Sequence, residues 1–137
     1  MWISINCRLG LSGFPGGSSV LAAVQASSAD PNPGMYDVRL ALEWVKANIP
    51  VFGGDPDRVT LMDQSAGAFI TGNQLLPNGG NTRHLFQSAI MQSDSPGSAS
   101  TLPPDYPQLD QAFASISASV NRKISIAGEH QVRLLIP

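Results

Sequence analysis

Apolar residues along the chain fall into two patterns, short runs rich in β-branched residues and longer segments with a helical period. A short apolar run bounded by glycine, proline or polar residues is typical of a buried strand, whereas apolar positions three and four apart are typical of a helix. The short runs predict strands at residues 2–7, 59–62 and 86–92. The helical period predicts helices at residues 35–49, 66–76 and 108–120.

The helix predicted at residues 35–49 has the clearest pattern. Its apolar residues share one face, and they are Val38, Leu42, Val45 and Ile49. Pro50 ends this helix, because the residue before a proline avoids the α region. Strands that alternate with helices indicate an α/β fold, and right-handed crossovers would place the strands in one sheet. The prediction is therefore a mostly parallel sheet of about three strands with flanking helices.

Glycine and proline mark the segments between these elements. Residues 10–20 contain four glycines and one proline and predict a loop, and residues 93–107 are rich in serine and proline and predict another. The last fifteen residues match no pattern. We therefore expect the fold to occupy residues 1–95, with residues 96–137 as a tail of loop and weak helix.

Composition narrows the classes of function. A formal charge of −2, with 13% charged residues, leaves no basic stripe to neutralise phosphates, which argues against a nucleic-acid partner. No apolar run approaches the roughly 20 residues that a membrane-spanning helix needs. Cys7 is the only cysteine, so no intrachain disulfide can form. The first residues have no charged segment and no export-type cleavage site, so no signal peptide is predicted.

A serine follows the second predicted strand at an abrupt corner. The apolar run at residues 59–62 gives way to Ser65, and small residues precede the next helical segment. The order of strand, sharp turn and helix is the geometry of a nucleophile elbow, which lifts a serine hydroxyl clear of the chain. So tight a turn favours small residues two positions before and two positions after the serine. Gly67 meets that requirement and Asp63 does not.

Residues 2–95 resemble the type B carboxylesterase family, the α/β-hydrolases that include fungal lipases and cholinesterases. The long run from Asn32 to Gly67 at uninterrupted spacing is the most specific part of the resemblance. The matching segments occur in the family's order, and they are SINCRLG at 4–10, NPGMYDVRLALEWV at 32–45, FGGDPDRVT at 52–60, QSAG at 64–67 and AIMQS at 89–93. The resemblance implies that residues 1–95 form a partial α/β-hydrolase and that the family activity is ester hydrolysis.

The resemblance assigns Ser65 as the nucleophile and the Ala66 N–H as one donor of the oxyanion hole. In the family, the other donors come from a glycine-rich loop upstream of the segment matched here. The acid and the histidine lie further downstream of the nucleophile than this chain extends. The histidines and acidic residues that follow Ser65 in this chain match neither the family's histidine nor its acid, and they are His84, His130, Asp94, Asp105, Asp110 and Glu129. The substrate implied is a small-molecule or lipid ester, with no cofactor and no metal. Family members are commonly secreted, but no signal peptide is predicted here, so the location of this chain stays open.

Two departures from the family pattern bear on the chemistry. Asp63 stands where the elbow normally has glycine, and Asp94 stands where Ser-Gly-Ser is usual after the next strand. If both carboxylates lie near the elbow, they add negative charge where an oxyanion must develop. In a site of low effective dielectric this repulsion is worth on the order of several kcal/mol. If Asp63 turns outward, it is harmless.

Three hypotheses about function stay open. The first is a partial carboxylesterase that uses Ser65 for acyl transfer but lacks the acid, the histidine and the upstream oxyanion loop, and is inactive alone. The second, motivated by Asp63, is a non-catalytic binding module, as in the cholinesterase-like adhesion domains that lost the triad. The third is a gene fragment without a stable fold, because a few parallel strands leave two open edges and uncovered apolar faces.

Overall fold

The computed structural model describes residues 1–27, 29–76, 80–95, 97 and 102–119. The longest α-helix among the described residues, Pro33–Asn48, is followed directly by a 3₁₀ helix, Ile49–Phe52. In chain order the regular elements are α1 (Gly10–Gly13), α2 (Ser18–Gln25), α3 (Pro33–Asn48), β1 (Thr60–Gln64), α4 (Ala66–Asn73), β2 (Ser88–Gln92) and α5 (Pro107–Ser119). The α/β class predicted from the sequence is confirmed as two parallel strands with flanking helices.

The chain divides into two compact units. The first comprises residues 1–13 and 32–101 and carries the sheet together with α1, α3 and α4. The second comprises residues 14–31 and 102–137, and its described elements are α2 and α5. The domain boundary expected at residue 95 stays a prediction, and the last fifteen residues lie outside the described part of the chain.

The sheet has fewer strands than predicted. β1 and β2 pair in parallel, with Thr60 opposite Ser88 and Gln64 opposite Gln92. Residues 2–7, which were predicted as a strand, form no regular secondary structure, so the described sheet has two strands rather than about three. The local pattern sets the tendency to form a strand, but a strand exists only where a neighbour accepts its backbone hydrogen bonds.

The core of the first unit lies between the helices and one face of the sheet. A buried cluster of four residues from α3 and from the segment before β2 is contacted by Leu61, Ile70 and Ala89. The members of the buried cluster are Val38, Leu42, Leu85 and Phe86. The apolar face predicted at residues 35–49 is confirmed, because Val38, Leu42 and Val45 of α3 and Ile49 of the 3₁₀ helix are 4–7% exposed. The opposite face of the sheet is open, with Met62 and Ile90 both more than 40% exposed.

The loop predicted at residues 10–20 is wrong in part, because α1 lies within it and α2 begins within it. Asp110 explains the start of α2. Its Oδ1 accepts hydrogen bonds from the Ser18 N–H at 2.7 Å and from the Ser18 hydroxyl at 2.9 Å. A carboxylate at a helix N-terminus satisfies donors that have no partner within the helix and interacts favourably with the helix dipole. The helix predicted at residues 108–120 is confirmed as α5, and it carries this cap.

An ion pair ties the beginning of the chain to α3. The Arg8 guanidinium donates to both carboxylate oxygens of Asp37, at 2.7 and 2.8 Å, and the Arg8 N–H also donates to Oδ2 at 2.8 Å. The side-chain hydrogen bond from Arg8 lowers the pKa of the Asp37 carboxyl below its ordinary value. Bidentate geometry of this kind is directional as well as electrostatic. Arg8 is therefore fixed against α3, although the residues before it belong to no sheet.

We expect Asp37→Asn to lower the melting temperature at pH 7 and to flatten its dependence on pH. The folded-state pKa of Asp37 lies below its unfolded value of about 4. The charged pair therefore stabilises the fold above about pH 4 and loses that contribution as the pH falls through the folded-state pKa. Thermal melts between pH 3 and pH 7 measure both effects. Asp57→Asn is the matched control, because its side chain is 80% exposed in its pair with Lys46. Parallel pH curves for Asp37→Asn and the unmodified chain would contradict this interpretation.

Candidate nucleophile elbow

Ser65 occupies the corner between β1 and α4. Its backbone has φ 54° and ψ −126°, a positive φ that is rare for a residue other than glycine. The Ser65 N–H donates to the Gln92 carbonyl at 2.8 Å, and the Ser65 carbonyl accepts the Phe69 N–H at 3.1 Å. The first bond fixes the corner to β2 and the second begins α4. The strand, sharp turn and helix predicted around Ser65 are present, and the serine is exposed.

Small residues allow α4 to lie close to the sheet immediately after the corner. Ala68 has no exposed surface, Thr71 is 1% exposed and Gly72 is also buried. α4 packs on both β1 and β2, and the Gln74 amide donates to the Met35 carbonyl of α3 at 3.0 Å. The helix that follows Ser65 is therefore held by the sheet, and the Gln74 side chain, one residue past the end of this helix, bonds to α3. A helix so fixed keeps its first turn at a constant position relative to the serine.

Asp63 stays at the corner rather than leaving it. Its carboxylate lies against Gly67, so closely that a Cβ atom at position 67 would overlap it. Its Oδ1 also accepts the Gln64 N–H at 2.8 Å. The bulk of Asp63 is accommodated because Gly67 has no side chain. A negative charge therefore lies at the N-terminal turn of α4, two residues from the serine.

Ala66 is the first residue of α4 and is exposed. The first N–H groups of an α-helix have no acceptor within the helix, and the helix dipole at this end favours an anion. An N–H at this position, next to a serine held at a corner, has the arrangement that an oxyanion donor needs. The Asp63 carboxylate competes for the same favourable electrostatic position.

The described residues do not place a histidine beside Ser65. His84 precedes β2 and is exposed in a turn, whereas Ser65 follows the end of β1. Because the two strands are parallel, the segment before β2 and the residue after β1 lie at opposite ends of the sheet, and a five-residue strand is about 16 Å long. His130 and Glu129 lie outside the described residues. His84 therefore has the position of a surface residue and not of a catalytic base.

The other carboxylates have different surroundings. Asp94 follows β2 at the end of the sheet where Ser65 lies, and its Oδ1 accepts the Ser95 N–H at 2.6 Å. Asp63 and Asp94 thus both come from the carboxyl ends of the strands. Asp110 caps α2 within the second unit, where Asp105 also lies. The contact between Asp63 and Gly67 was not predicted from the sequence. Their positions, two residues before and two residues after Ser65 in a tight turn, are the feature that could have indicated it.

Comparison with known proteins gives consistent matches. The model of the family described as "Carboxylesterase family" matches residues 2–127. The chain is 41% identical over 132 residues to Lipase 2 of Geotrichum candidum, covering 93% of this chain and 21% of the lipase. It is 44% identical over 94 residues to acetylcholinesterase of Gallus gallus, covering 69% of this chain and 11% of that protein. Among solved structures, a thermophilic PNB esterase superposes with a TM-score of 0.62 and 34% identity, covering 85% of this chain and 22% of the esterase.

The chain thus spans about a fifth of the length of the lipase and of the esterase that it matches. The matched region extends past residue 95, where the resemblance found from the sequence ends. Among the helices of the described residues, none has the length and hydropathy required to span a bilayer.

We expect Gly67→Ala to destabilise the chain by at most about 1 kcal/mol, because the new methyl group meets the Asp63 carboxylate, which is the end of an exposed side chain and has to turn away. In the Asp63→Gly background the same substitution should cost much less, since the overlapping group is gone. Chemical denaturation of the four proteins closes a double-mutant cycle and gives the coupling free energy. A coupling energy near zero would mean that Asp63 does not lie against Gly67.

Proposed function

Because the chain belongs to the carboxylesterase family, we propose that it carries the nucleophile segment of a carboxylic ester hydrolase, with Ser65 as the acyl-accepting residue. The observation that carries the proposal is the positive φ of Ser65 between β1 and α4. A strained non-glycine backbone is retained only where the surrounding structure over-determines it, and such strain concentrates at functional positions. The proposed fold is a partial α/β-hydrolase.

The proposed reaction is acyl transfer in two steps. The Ser65 hydroxyl attacks the ester carbonyl, the alcohol leaves, and water then releases the acid. The Ala66 N–H stabilises the oxyanion of the tetrahedral intermediate, and the loss of one such donor typically costs about 10²–10³ in rate. A histidine base that takes the hydroxyl proton and a carboxylate that orients this base are needed as well, and the described residues place no histidine beside Ser65. The described residues therefore supply the nucleophile and one donor of the proposed site.

The names of the proteins compared above all refer to the hydrolysis of the same type of bond. The names lipase, acetylcholinesterase and PNB esterase each denote the hydrolysis of a carboxylic ester. The proposed substrate class for the complete site is accordingly a small-molecule or lipid ester.

A second candidate function rests on the carboxylate of Asp63. Its position against Gly67, at the N-terminal turn of α4, places negative charge where the reaction would develop an oxyanion. Like charges repel, so this carboxylate also suits a non-catalytic binding module, in which no oxyanion forms. The two candidates make different predictions for Asp63→Gly in a complete site.

We expect the isolated 137-residue chain to show no hydrolysis of p-nitrophenyl butyrate that depends on Ser65. The hydroxyl has no base beside it among the described residues, and an unactivated serine is a weak nucleophile at neutral pH. Rates for the unmodified chain and for Ser65→Ala should agree after subtraction of the buffer rate. A Ser65-dependent rate would show that the chain contains its own proton acceptor.

The complete site is tested in a chimera in which residues 32–95 of this chain replace the matching segment of Geotrichum Lipase 2. We expect the chimera to hydrolyse p-nitrophenyl esters and to lose at least about 10³-fold in kcat on Ser65→Ala. Asp63→Gly should raise kcat about tenfold or more, because it removes a charge that opposes the oxyanion. Asp63→Asn is the matched control, which removes the charge but keeps the volume.

The outcomes of the chimera experiment separate the two candidate functions. A folded chimera that stays inactive after Asp63→Gly would refute ester hydrolysis through Ser65. A chimera that is inactive as built, and that gains activity only on Asp63→Gly, would favour the binding module, because the native carboxylate alone would then suppress the reaction.

A further inference from the structure

α3 carries a second apolar stripe on the side opposite the face that it buries. Tyr36, Leu40 and Trp44 are four residues apart and are 57%, 66% and 51% exposed. Side chains at this spacing are neighbours on one side of a helix. The ring centroids of Trp44 and Phe52 are 6.2 Å apart, and Val51 beside Phe52 is 85% exposed. These five residues form one continuous surface, the outer patch.

The outer patch is at the upper limit of what a monomeric protein usually leaves in water. Three of its five side chains are aromatic, and an aromatic side chain has about 150–250 Å² of surface. With the exposed fractions of its members, the patch presents roughly 550 Å² of apolar surface, whereas the largest apolar patches of monomers are about 300–600 Å² and are often functional. Two such patches buried against each other remove about 1,100 Å² from water, which is enough for a specific interface.

The outer patch is fixed in place before any partner binds. The opposite face of α3 is buried in the core of the first unit, so the helix cannot turn or shift freely. The Asn48 side-chain amide donates to the Trp44 carbonyl at 2.8 Å, which satisfies a carbonyl at the end of the helix. The contact between the rings of Trp44 and Phe52 restricts both side chains. Little conformational freedom is therefore lost on association, which favours binding.

Few uncompensated charges surround the outer patch. The Arg8 guanidinium pairs with Asp37, and the Lys46 ammonium pairs with Asp57, in both cases at 2.7 Å. Among the described residues no salt bridge involves Glu43, which is exposed at the edge of the patch. The centre of the patch is thus apolar and its rim is polar, which is the usual arrangement of a protein–protein interface.

We infer that the outer patch is a docking surface for a second copy of this chain, related to the first by a two-fold axis near Leu40. The row of residues four apart forms a ridge, and such ridges on two helices pack into each other's grooves at about −50°. Leu40 lies between Tyr36 and Trp44, so the row has a large aromatic residue at each end. A two-fold axis at Leu40 exchanges these ends, which makes the patch complementary to itself.

A second copy is favoured over an unlike partner for two reasons. The patch carries no charge at its centre that would require an opposite charge on a different surface. Tryptophan and tyrosine are also the residues that contribute most to the affinity of such interfaces, and two copies bring two of each into one contact. The inference does not depend on the chemistry proposed for Ser65.

The test measures the mass of the 137-residue chain by sedimentation equilibrium over a range of protein concentrations. We expect a dimer whose dissociation constant rises at least about tenfold on Leu40→Glu, because the new carboxylates meet at the centre of the interface. Leu76→Glu is the matched control, since Leu76 is 60% exposed after α4 and lies outside the patch, and it should change the constant less than about twofold. Circular dichroism checks that both variants are folded.

Two results of this measurement would overturn the inference. A chain that stays monomeric at about 100 μM would leave the patch without a second copy as its partner. Equal weakening by Leu40→Glu and Leu76→Glu would place the contact elsewhere on the chain.

Cross-linking tests the two-fold axis itself. Cys7 is the only cysteine, so Cys7→Ala gives a background without thiols. In that background Leu40→Cys should form an intermolecular disulfide at least about tenfold faster than Leu76→Cys, because a residue near a two-fold axis lies within disulfide reach of its own copy. Equal rates would contradict the axis. Assemblies larger than a dimer would show a contact that does not close on itself, and would contradict it as well.

Discussion

The corner at Ser65 is the constraint on which the rest of the structure depends. A non-glycine residue at positive φ costs about 1–3 kcal/mol and persists only where its neighbours hold it. Here the Gln92 carbonyl fixes the Ser65 N–H, the Phe69 N–H fixes the Ser65 carbonyl, and the fully buried Ala68 keeps α4 close to the sheet. The register of the two strands, the start of the helix and the exposure of the serine are therefore consequences of one arrangement. A shift of β2 by one residue would move the carbonyl that holds the corner and present the opposite face of that strand to the core.

Features decided by local sequence were predictable, and features decided by distant contacts were not. The apolar face of α3 and the strand, turn and helix around Ser65 follow from spacing alone, and both are present. The failures have a different origin. Residues 2–7 have the composition of a strand, but no spacing rule states whether a neighbour is available. The start of α2 was missed because its cap, Asp110, is 92 positions away from Ser18. The glycines and the proline between residues 10 and 20 predicted a loop, which is present only between α1 and α2, at residues 14–17.

The Asp63 carboxylate has opposite effects on the folding of the elbow and on the reaction proposed for it. The requirement for small residues on both sides of the serine is a limit on their combined volume, because the two positions face each other. Gly67 leaves room for the Asp63 carboxylate, which is further held by the Gln64 N–H. An anion at the start of a helix also favours the fold. The same charge opposes the oxyanion that ester hydrolysis must form at this helix end. A residue that suits the structure can therefore still be unfavourable for the chemistry.

The free edge of β1 and the incomplete chemistry at Ser65 are physically connected. β1 ends one residue before the serine, so whatever fixes this strand also fixes the hydroxyl. In the described structure β1 is held by β2 on one edge, and its other edge has no neighbouring strand among the described residues. Any restriction on the movement of β1 therefore also restricts the corner at Ser65. Rate enhancement by a positioned nucleophile depends on such restriction, since small displacements of the reacting atoms are costly.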